Sequence, residues 1–248
     1  IADRDLSTNA TTGRGLGNED IIAFRPMIRF TPNDSFDLTF IGEYHRNKSD
    51  LMPGQNYSPD KLLCILQSSF CGVPFGEVDE FEVAMTDLGA GIIDAEIWSI
   101  TADMNWDVGP GTITWISNYR NTDEFIDIDG EMTVSDFFRV SRDQPHKQYS
   151  SELRFASSAW ENFDFIGGVY YFHQGDKMEQ NFFIGIGPPN TPVSHFIATP
   201  RQEHDSYSVF AEGNYHVNEK LTVTLGGRWS KDNKDFFSEA PVFFPTPV

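Results

Sequence analysis

From Leu221 to Trp229 the chain changes polarity at almost every step. On an extended strand successive side chains point to opposite faces. Leu221, Val223, Leu225 and Trp229 therefore share one face, and Thr222, Thr224, Arg228 and Ser230 share the other. A period of two excludes an amphipathic helix, whose apolar positions recur every three or four residues. The alternation returns about eight times along the chain, and short connections take turns with long ones. Polar-in, apolar-out strands with short turns at one end and long loops at the other predict an all-β, antiparallel up-and-down transmembrane barrel, or a segment of one.

The strands are expected in four hairpins. The first covers about 20–46, with Ile22, Phe24, Ile28 and Phe30 on one face and Arg25 and Arg29 on the other. Pro26 lacks a ladder donor and predicts a bulge or weak pairing. The turn is expected at Thr31–Ser35, and Phe36, Leu38, Phe40 and Tyr44 return on the apolar face. The second hairpin covers about 94–126, turning at Gly109-Pro-Gly111. The third covers about 148–178 and the fourth about 204–237, turning at Asn218-Glu219. Between them stand a long outer loop, 47–93, an acidic loop, about 127–147, and a loop at about 179–203. Within the first, Ser58-Pro59-Asp60 reads as an N-cap with proline at the first helical position, predicting a short helix from Pro59 to Gln67. Residues 1–19 are expected as loop, and the Pro-rich 238–248 as strandless.

Composition agrees with strands that cross a membrane and not with helices that do. Mean hydropathy is −0.38 over 248 residues. No apolar run reaches the ~18 residues a spanning helix needs, whereas a barrel strand needs only ~9–11, with every second one apolar. The 22 Phe, 8 Tyr and 5 Trp concentrate in the strand segments. The net charge of −19 excludes a nucleic-acid partner, which requires clustered Lys and Arg. Cys64 and Cys71, seven positions apart in the long loop, are expected to close a small disulfide ring in an oxidising compartment, with two unpaired thiols as the other reading. Ile1-Ala-Asp-Arg-Asp5 has no signal-peptide core, so either the signal was removed or the chain starts in mid-protein.

No enzyme signature is present. His45, His146, His173, His195, His204 and His216 lack zinc-type spacing. Asp127-Ile-Asp129-Gly130-Glu131 partly matches a calcium loop, but Phe125 stands at the first ligand position and the downstream Glu is missing. Neither a metal nor another cofactor is expected. Ligand contacts are expected from lumen-facing positions near the outer rim, where Arg120, Asp127 and Asp129 run up one strand, and from loop aromatics Tyr57, Phe70, Phe75 and Phe81. The plainer reading of those aromatics is that they pack the loop against itself. Girdle aromatics are expected at Trp98 and Tyr119 toward the outer interface, at Trp106, Trp115 and Tyr215 toward the periplasmic one, and at Trp229.

Two hairpins carry a resemblance. Ser150-Ser-Glu-Leu-Arg-Phe-Ala156 followed by Phe163-Asp-Phe-Ile-Gly-Gly-Val-Tyr-Tyr-Phe172 resembles a mid-barrel hairpin of TonB-dependent outer-membrane receptors. Asp205 to Asn218, Leu221 to Trp229 and Lys231-Asp-Asn-Lys-Asp235 are similar to another, and Gly17-Asn-Glu-Asp20 with Phe30-Thr-Pro-Asn-Asp34 to an earlier strand pair. The resemblance implies a large barrel of about 22 strands with an N-terminal plug, facing outer-membrane lipid and driven by the TonB complex. It also implies import of a small molecule, whether iron chelate, cobalamin or oligosaccharide, the leading expectation being a ferric siderophore. Neither a plug, a TonB box nor a closing strand that ends in an aromatic is found here, so an internal barrel segment is expected. The rivals are a secreted β-sandwich or carbohydrate-binding module, and a small structural outer-membrane barrel or adhesin. A sandwich requires the apolar faces to be covered by a second sheet ~10 Å away.

Overall fold

The computed structural model describes residues 6–50, 82–83, 91–130, 138–157, 160–184, 194–239 and 242–245. In chain order the strands are β1 Ser7–Asn9, β2 Gly15–Leu16, β3 Ile21–Phe24, β4 Met27–Asn33, β5 Phe36–Asp50, β6 Glu82–Val83, β7 Ile92–Asp107 and β8 Gly111–Asp129. Then follow β9 Phe138–Ser157, β10 Phe163–Lys177, β11 Glu179–Ile184, β12 Ser194–Ala198, β13 Arg201–Asn218, β14 Leu221–Phe237 and β15 Val242–Pro245. Twelve of them form one sheet along the path β14-β13-β10-β9-β8-β7-β5-β3, with β4 extending the β5 edge and β11, β12 and β15 attached to β9. Neighbours in this path are antiparallel throughout.

The apolar face is open. Ile28 is 69% exposed, Val209 53% and Leu225 81%, and among the described residues no second sheet packs on them. That removes the sandwich reading, whose defining feature is a covered apolar face. Leu16 and Val83 make a small separate core in a three-stranded sheet of order β2-β1-β6. This sheet sits at the far end of β5, where Asp50 receives Arg14 at 2.9 Å and its amide donates to the Asn18 carbonyl.

Several expectations change. Residues 1–19 are not all loop, since β1 and β2 form within them. β4 runs through Thr31 and Pro32 to Asn33 with a register shift after Phe30, so the turn shrinks to Asp34-Ser35. Asn33 accepts from the Ser35 amide at 3.0 Å, an Asx turn that closes without Pro32. The acidic loop is shorter than 127–147, because β8 reaches Asp129 and β9 starts at Phe138. The 179–203 loop contains the hairpin β11–β12, and the tail expected to be strandless contributes β15, which pairs with β12. Pro26 does interrupt the edge strand between β3 and β4. Its carbonyl still accepts from the Gly42 amide at 3.0 Å, and a Cβ on Gly42 would lie only 3.3 Å from the proline ring.

Candidate functional site

The register from β5 to β14, which slips only between His216 and Asn218 beside a short turn, assigns every central side chain to a face. On the apolar face an aromatic row crosses the sheet. Ring centroids are 5.1 Å apart for Phe24–Tyr44, 5.2 Å for Trp98–Tyr119, 5.9 Å for Tyr149–Tyr171 and 5.0 Å for Tyr171–Tyr207. Trp229 continues the row opposite Val209. Tyr44, Tyr119 and Trp229 each lie eight positions from the short-turn end of their strand, at Phe36, Gly111 and Leu221. A second aromatic set hugs the short turns. Phe30, Phe36 and Trp106 are 6.3 and 6.5 Å apart, Trp160 and Phe163 6.3 Å, and Tyr215 pairs with Phe163. Trp115 belongs to neither set. It stands four positions from Gly111, midway, and its indole N–H donates to Ser151 Oγ at 3.0 Å.

On the opposite face the long-loop half carries a cross-strand polar network. Arg120 is exposed, with Ser99 and Gln148 as its strand partners. Ser99 donates to Glu43 at 3.0 Å, and Arg142 pairs with Glu124 at 3.1 Å. His146 Nδ1 meets Asp176, whose other oxygen accepts from Gln174 at 2.6 Å. His204 Nε2 lies 3.0 Å from Asp232, with Phe172 edge-on to its ring at 5.4 Å. The hydrogen bond from His204, then that from Ser206, holds the Asp232 carboxyl below the usual carboxylate range. Such a wall of fixed donors, acceptors and one unengaged guanidinium suits a polar or charged small ligand.

Within the upper part of this network, below Arg142, β10 and β13 break at one level. Met178 separates β10 from β11, and Thr199-Pro200 separates β12 from β13, while pairing to β9 keeps its register through Pro145. Pro145 and Pro200 each withhold a ladder donor there, and the Met178 amide bridges the gap to the Pro200 carbonyl at 3.0 Å. Beyond the break, Phe138, Phe182 and Phe196 stack in a row, the last two at 4.3 Å and 9°.

Arg120, Asp127 and Asp129 do not share a face. No register shift occurs in β8, so position 120 and positions 127 and 129 point oppositely. Asp127 and Asp129 lie on the apolar-face side beyond the aromatic row, both buried. Asp127 is held by Arg139, which donates from Nε at 2.8 Å and again from Nη2, with Phe183 5.8 Å below the guanidinium. The pair is a strand-to-strand clamp, so these two carboxylates are withdrawn as lumen contacts. Tyr57, Phe70, Phe75, Phe81, Cys64, Cys71 and the helix expected over 59–67 lie outside the described residues. Sequence reading passed over His146, Asp176, His204, Asp232, Phe138, Phe182 and Phe196. Asp176, His204 and Asp232 lay in strands already expected and were available from strand parity alone, whereas His146 required β9 to begin before residue 148. Among the described residues no group of three or more His, Cys, Asp or Glu side chains could hold a metal ion.

Comparison with known proteins supports the same architecture. Curated protein sequences give no match. Nine solved chains match in structure. One is the crystal structure of the ferric yersiniabactin uptake receptor FyuA from Yersinia pestis, with a TM-score of 0.65 and 14% identity. The alignment covers 99% of this chain and 36% of that receptor, so the chain spans about a third of its length. The family model described as TonB dependent receptor-like, beta-barrel, matches residues 23–246. An open lipid-type face, an all-antiparallel sheet and a family match over nearly the whole sheet agree: the chain belongs to the TonB-dependent receptor β-barrel family of the bacterial outer membrane.

Proposed function

We propose that this chain forms the outer-rim wall of a TonB-dependent transporter and that the receptor takes up a ferric siderophore or similar iron chelate without altering it chemically. The observation carrying the reading is the concentration of Arg120, Arg142–Glu124, His146–Asp176 and His204–Asp232 on one face in the long-loop half of the sheet, below the aromatic stack Phe138–Phe182–Phe196. A chelate is a polar, often anionic body with flat or apolar arms, and this wall presents both kinds of contact. The uptake of a ferric chelate named for FyuA supports the substrate class, by likeness of fold.

In this reading the first aromatic row, with Trp98, Tyr119 and Trp229, marks the outer interface. Trp106 and Tyr215 mark the periplasmic one. Eight residues at ~3.4 Å, tilted by ~40°, span about 21 Å, near the ~25 Å apolar band of outer-membrane barrels. Trp115 lies in the hydrocarbon, where the bond to Ser151 satisfies its N–H. Tyr57, Phe70, Phe75 and Phe81 are proposed as further ligand contacts, and Cys64–Cys71 as a disulfide. Coupling to the TonB complex is assigned to a plug domain of the full-length receptor.

The test is growth and radiolabelled iron uptake by cells lacking the full-length receptor, under iron limitation, with complementation by wild type and by Arg120→Ala. Uptake of one chelate class should vanish on deletion and return with wild type, and Arg120→Ala should raise the half-saturating concentration several-fold. Unchanged uptake of all iron chelates on deletion would rule out the substrate class.

A further inference from the structure

Above the polar wall the two faces of the sheet exchange character. Within the belt the lumen face is polar and the exterior apolar. At Ile128, nine positions past Tyr119, the reverse holds. Ile128, Val140, Phe182 and Phe196 stand side by side in one register row across β8, β9, β11 and β12, on the lumen face. Phe138 and Ile184, paired in the next lumen row up, extend the apolar panel. At the same level the exterior face carries Asp127, Asp129, Arg139, Ser141 and Asn181. Phe183 is on that side too, but covered between the Arg139 guanidinium at 5.8 Å and the His195 ring at 4.5 Å.

The membrane does not account for this panel. Nine residues at ~3.4 Å, tilted by ~40°, put Ile128 about 23 Å above the aromatic row. Hydrocarbon does not reach that height, and the panel faces the lumen, whose mouth is open to water. Nor is it a core, since all six side chains are only half-buried. Contiguous apolar surface in such a place marks a site that a ligand or partner covers.

The panel's shape says what kind of group covers it. Three strand spacings of ~4.8 Å make the row about 14 Å wide. Phe182 and Phe196 stack at 4.3 Å and 9°, so each turns a face to the other and the pair presents ring edges to the lumen. A flat ring laid on the wall needs an open ring face. This row offers edges and the branched methyl groups of Ile128 and Val140 instead, which suit a flexible aliphatic chain. Two positions below Val140 stands Arg142, paired with Glu124, and below that His146–Asp176. The apolar panel is therefore continuous with the polar wall on one face.

We propose that the transported chelate is amphiphilic, with its iron-binding head on the polar wall and a short fatty-acyl tail laid along Ile128, Val140 and Phe182. This rests on the reading of the receptor as a chelate transporter. A fully buried methylene strengthens binding about fourfold, and one covered on a single side about twofold, so four methylenes across the row add on the order of tenfold.

The test measures binding of radiolabelled iron to outer-membrane vesicles that carry the full-length receptor, with vesicles lacking it as the blank. The iron is held by synthetic trihydroxamate, tricatecholate or citrate-type chelators, each made with and without an octanoyl tail. For at least one head class the octanoyl chelate should bind wild type about tenfold more tightly than its tail-free twin. Ile128→Asn with Val140→Asn should bring that ratio close to one while keeping the heat-modifiable mobility of a folded barrel. Ser141→Ala, on the exterior of the same strand, should leave the ratio as it is. A wild-type ratio near one in every head class overturns the proposal, because the panel is then covered by the chain itself. A ratio retained by the folded double variant overturns it as well, and so does failure of every octanoyl chelate to bind. Tail-free chelates that bind with no gain from the tail leave chelate uptake standing and remove the tail alone, whereas unchanged iron uptake on deletion removes both.

Discussion

Replacing Leu153 by Arg separates a membrane wall from a soluble sheet. Leu153 is four positions from Ser157 at the short-turn end and four from Tyr149 in the aromatic row. At ~3.4 Å per residue and ~40° of tilt it lies about 10 Å inside the belt, close to mid-height. Its side chain is 47% exposed between Trp115 and Val169, with no polar partner within the sheet. On a soluble sheet, an Arg at such an exposed site would change stability by about 0.5 kcal/mol or less. On the lipid face of a barrel at this depth it costs about 2–4 kcal/mol. Arg154, one position along and at the same height, faces the other way and pairs with Glu152, so the chain already carries a guanidinium at this level on its lumen side. Urea titration of full-length receptor folded into phosphocholine vesicles measures the difference. Leu153→Arg should lower stability by 2–4 kcal/mol, and the lumen-face control Ser150→Arg by less than about 1 kcal/mol. Equal effects of the two, or a Leu153→Arg cost below about 1 kcal/mol, would refute the assignment of faces.

Other outcomes follow from single contacts. Asp127→Ala strips Arg139 of its partner at a site where Asp127 is 8% and Arg139 31% exposed. Discounted for that exposure, the loss should be about 1–2 kcal/mol in urea titration, with chelate affinity unchanged because the clamp is off the lumen. Gly168→Ala would bring a Cβ within 2.8 Å of the Leu153 carbonyl and 2.6 Å of the Phe210 ring, and should cost about 1–3 kcal/mol. Gly227→Ala meets nothing within 4 Å and should be near neutral in the same titration. Asp205 lies beyond the belt, and its hydrogen bonds from His173 and then Tyr171 hold its carboxyl below the usual range. A depressed folded pKa means the contribution is present above the unfolded value and lost as pH falls through the folded one. The Asp205 carboxyl resonance should therefore titrate below the ordinary aspartate midpoint, and His173→Ala should move it upward. A wild-type midpoint at or above the ordinary value would contradict the geometry.

The strands were legible because the belt writes itself into the sequence. Between the short turns and the aromatic row one face meets hydrocarbon and the other water, so polarity alternates, as in Leu221 to Trp229 and Trp98 to Trp106. Among the elements that escaped, the start of β9 and all of β11, β12 and β15 lie beyond that row, and β1, β2 and β6 form a separate small sheet. There both faces are wet. Val140-Ser-Arg-Asp-Gln144 has no apolar alternation because no lipid imposes one, and its pairing with β8 and β11 is held by backbone bonds and clamps such as Arg139–Asp127. Pro145 and Pro200, which punctuate the sequence as loop residues do, sit instead in or between paired strands. Proline there marks the break between β10 and β11 and between β12 and β13, and not the end of the sheet.

The misplacement of Asp127 and Asp129 has the same cause and points to a remedy. Grouping them with Arg120 relied on polarity, which reports the face only inside the belt. Parity reports it everywhere, provided no bulge intervenes. From Gly111 to Asp129 the register with β7 and β9 never slips. Counting by twos from Trp115 and Tyr119 carries the lipid-side row up through Asn121, Asp123 and Phe125 to Asp127 and Asp129. The same count from Arg120 carries the lumen row up through Thr122 and Glu124, which meets Arg142. Above the membrane, a charged residue in a barrel strand is thus a lumen candidate only when an unbroken two-residue count ties it to a polar position inside the belt. By that criterion Glu124 and Arg142 replace Asp127 and Asp129 beside Arg120.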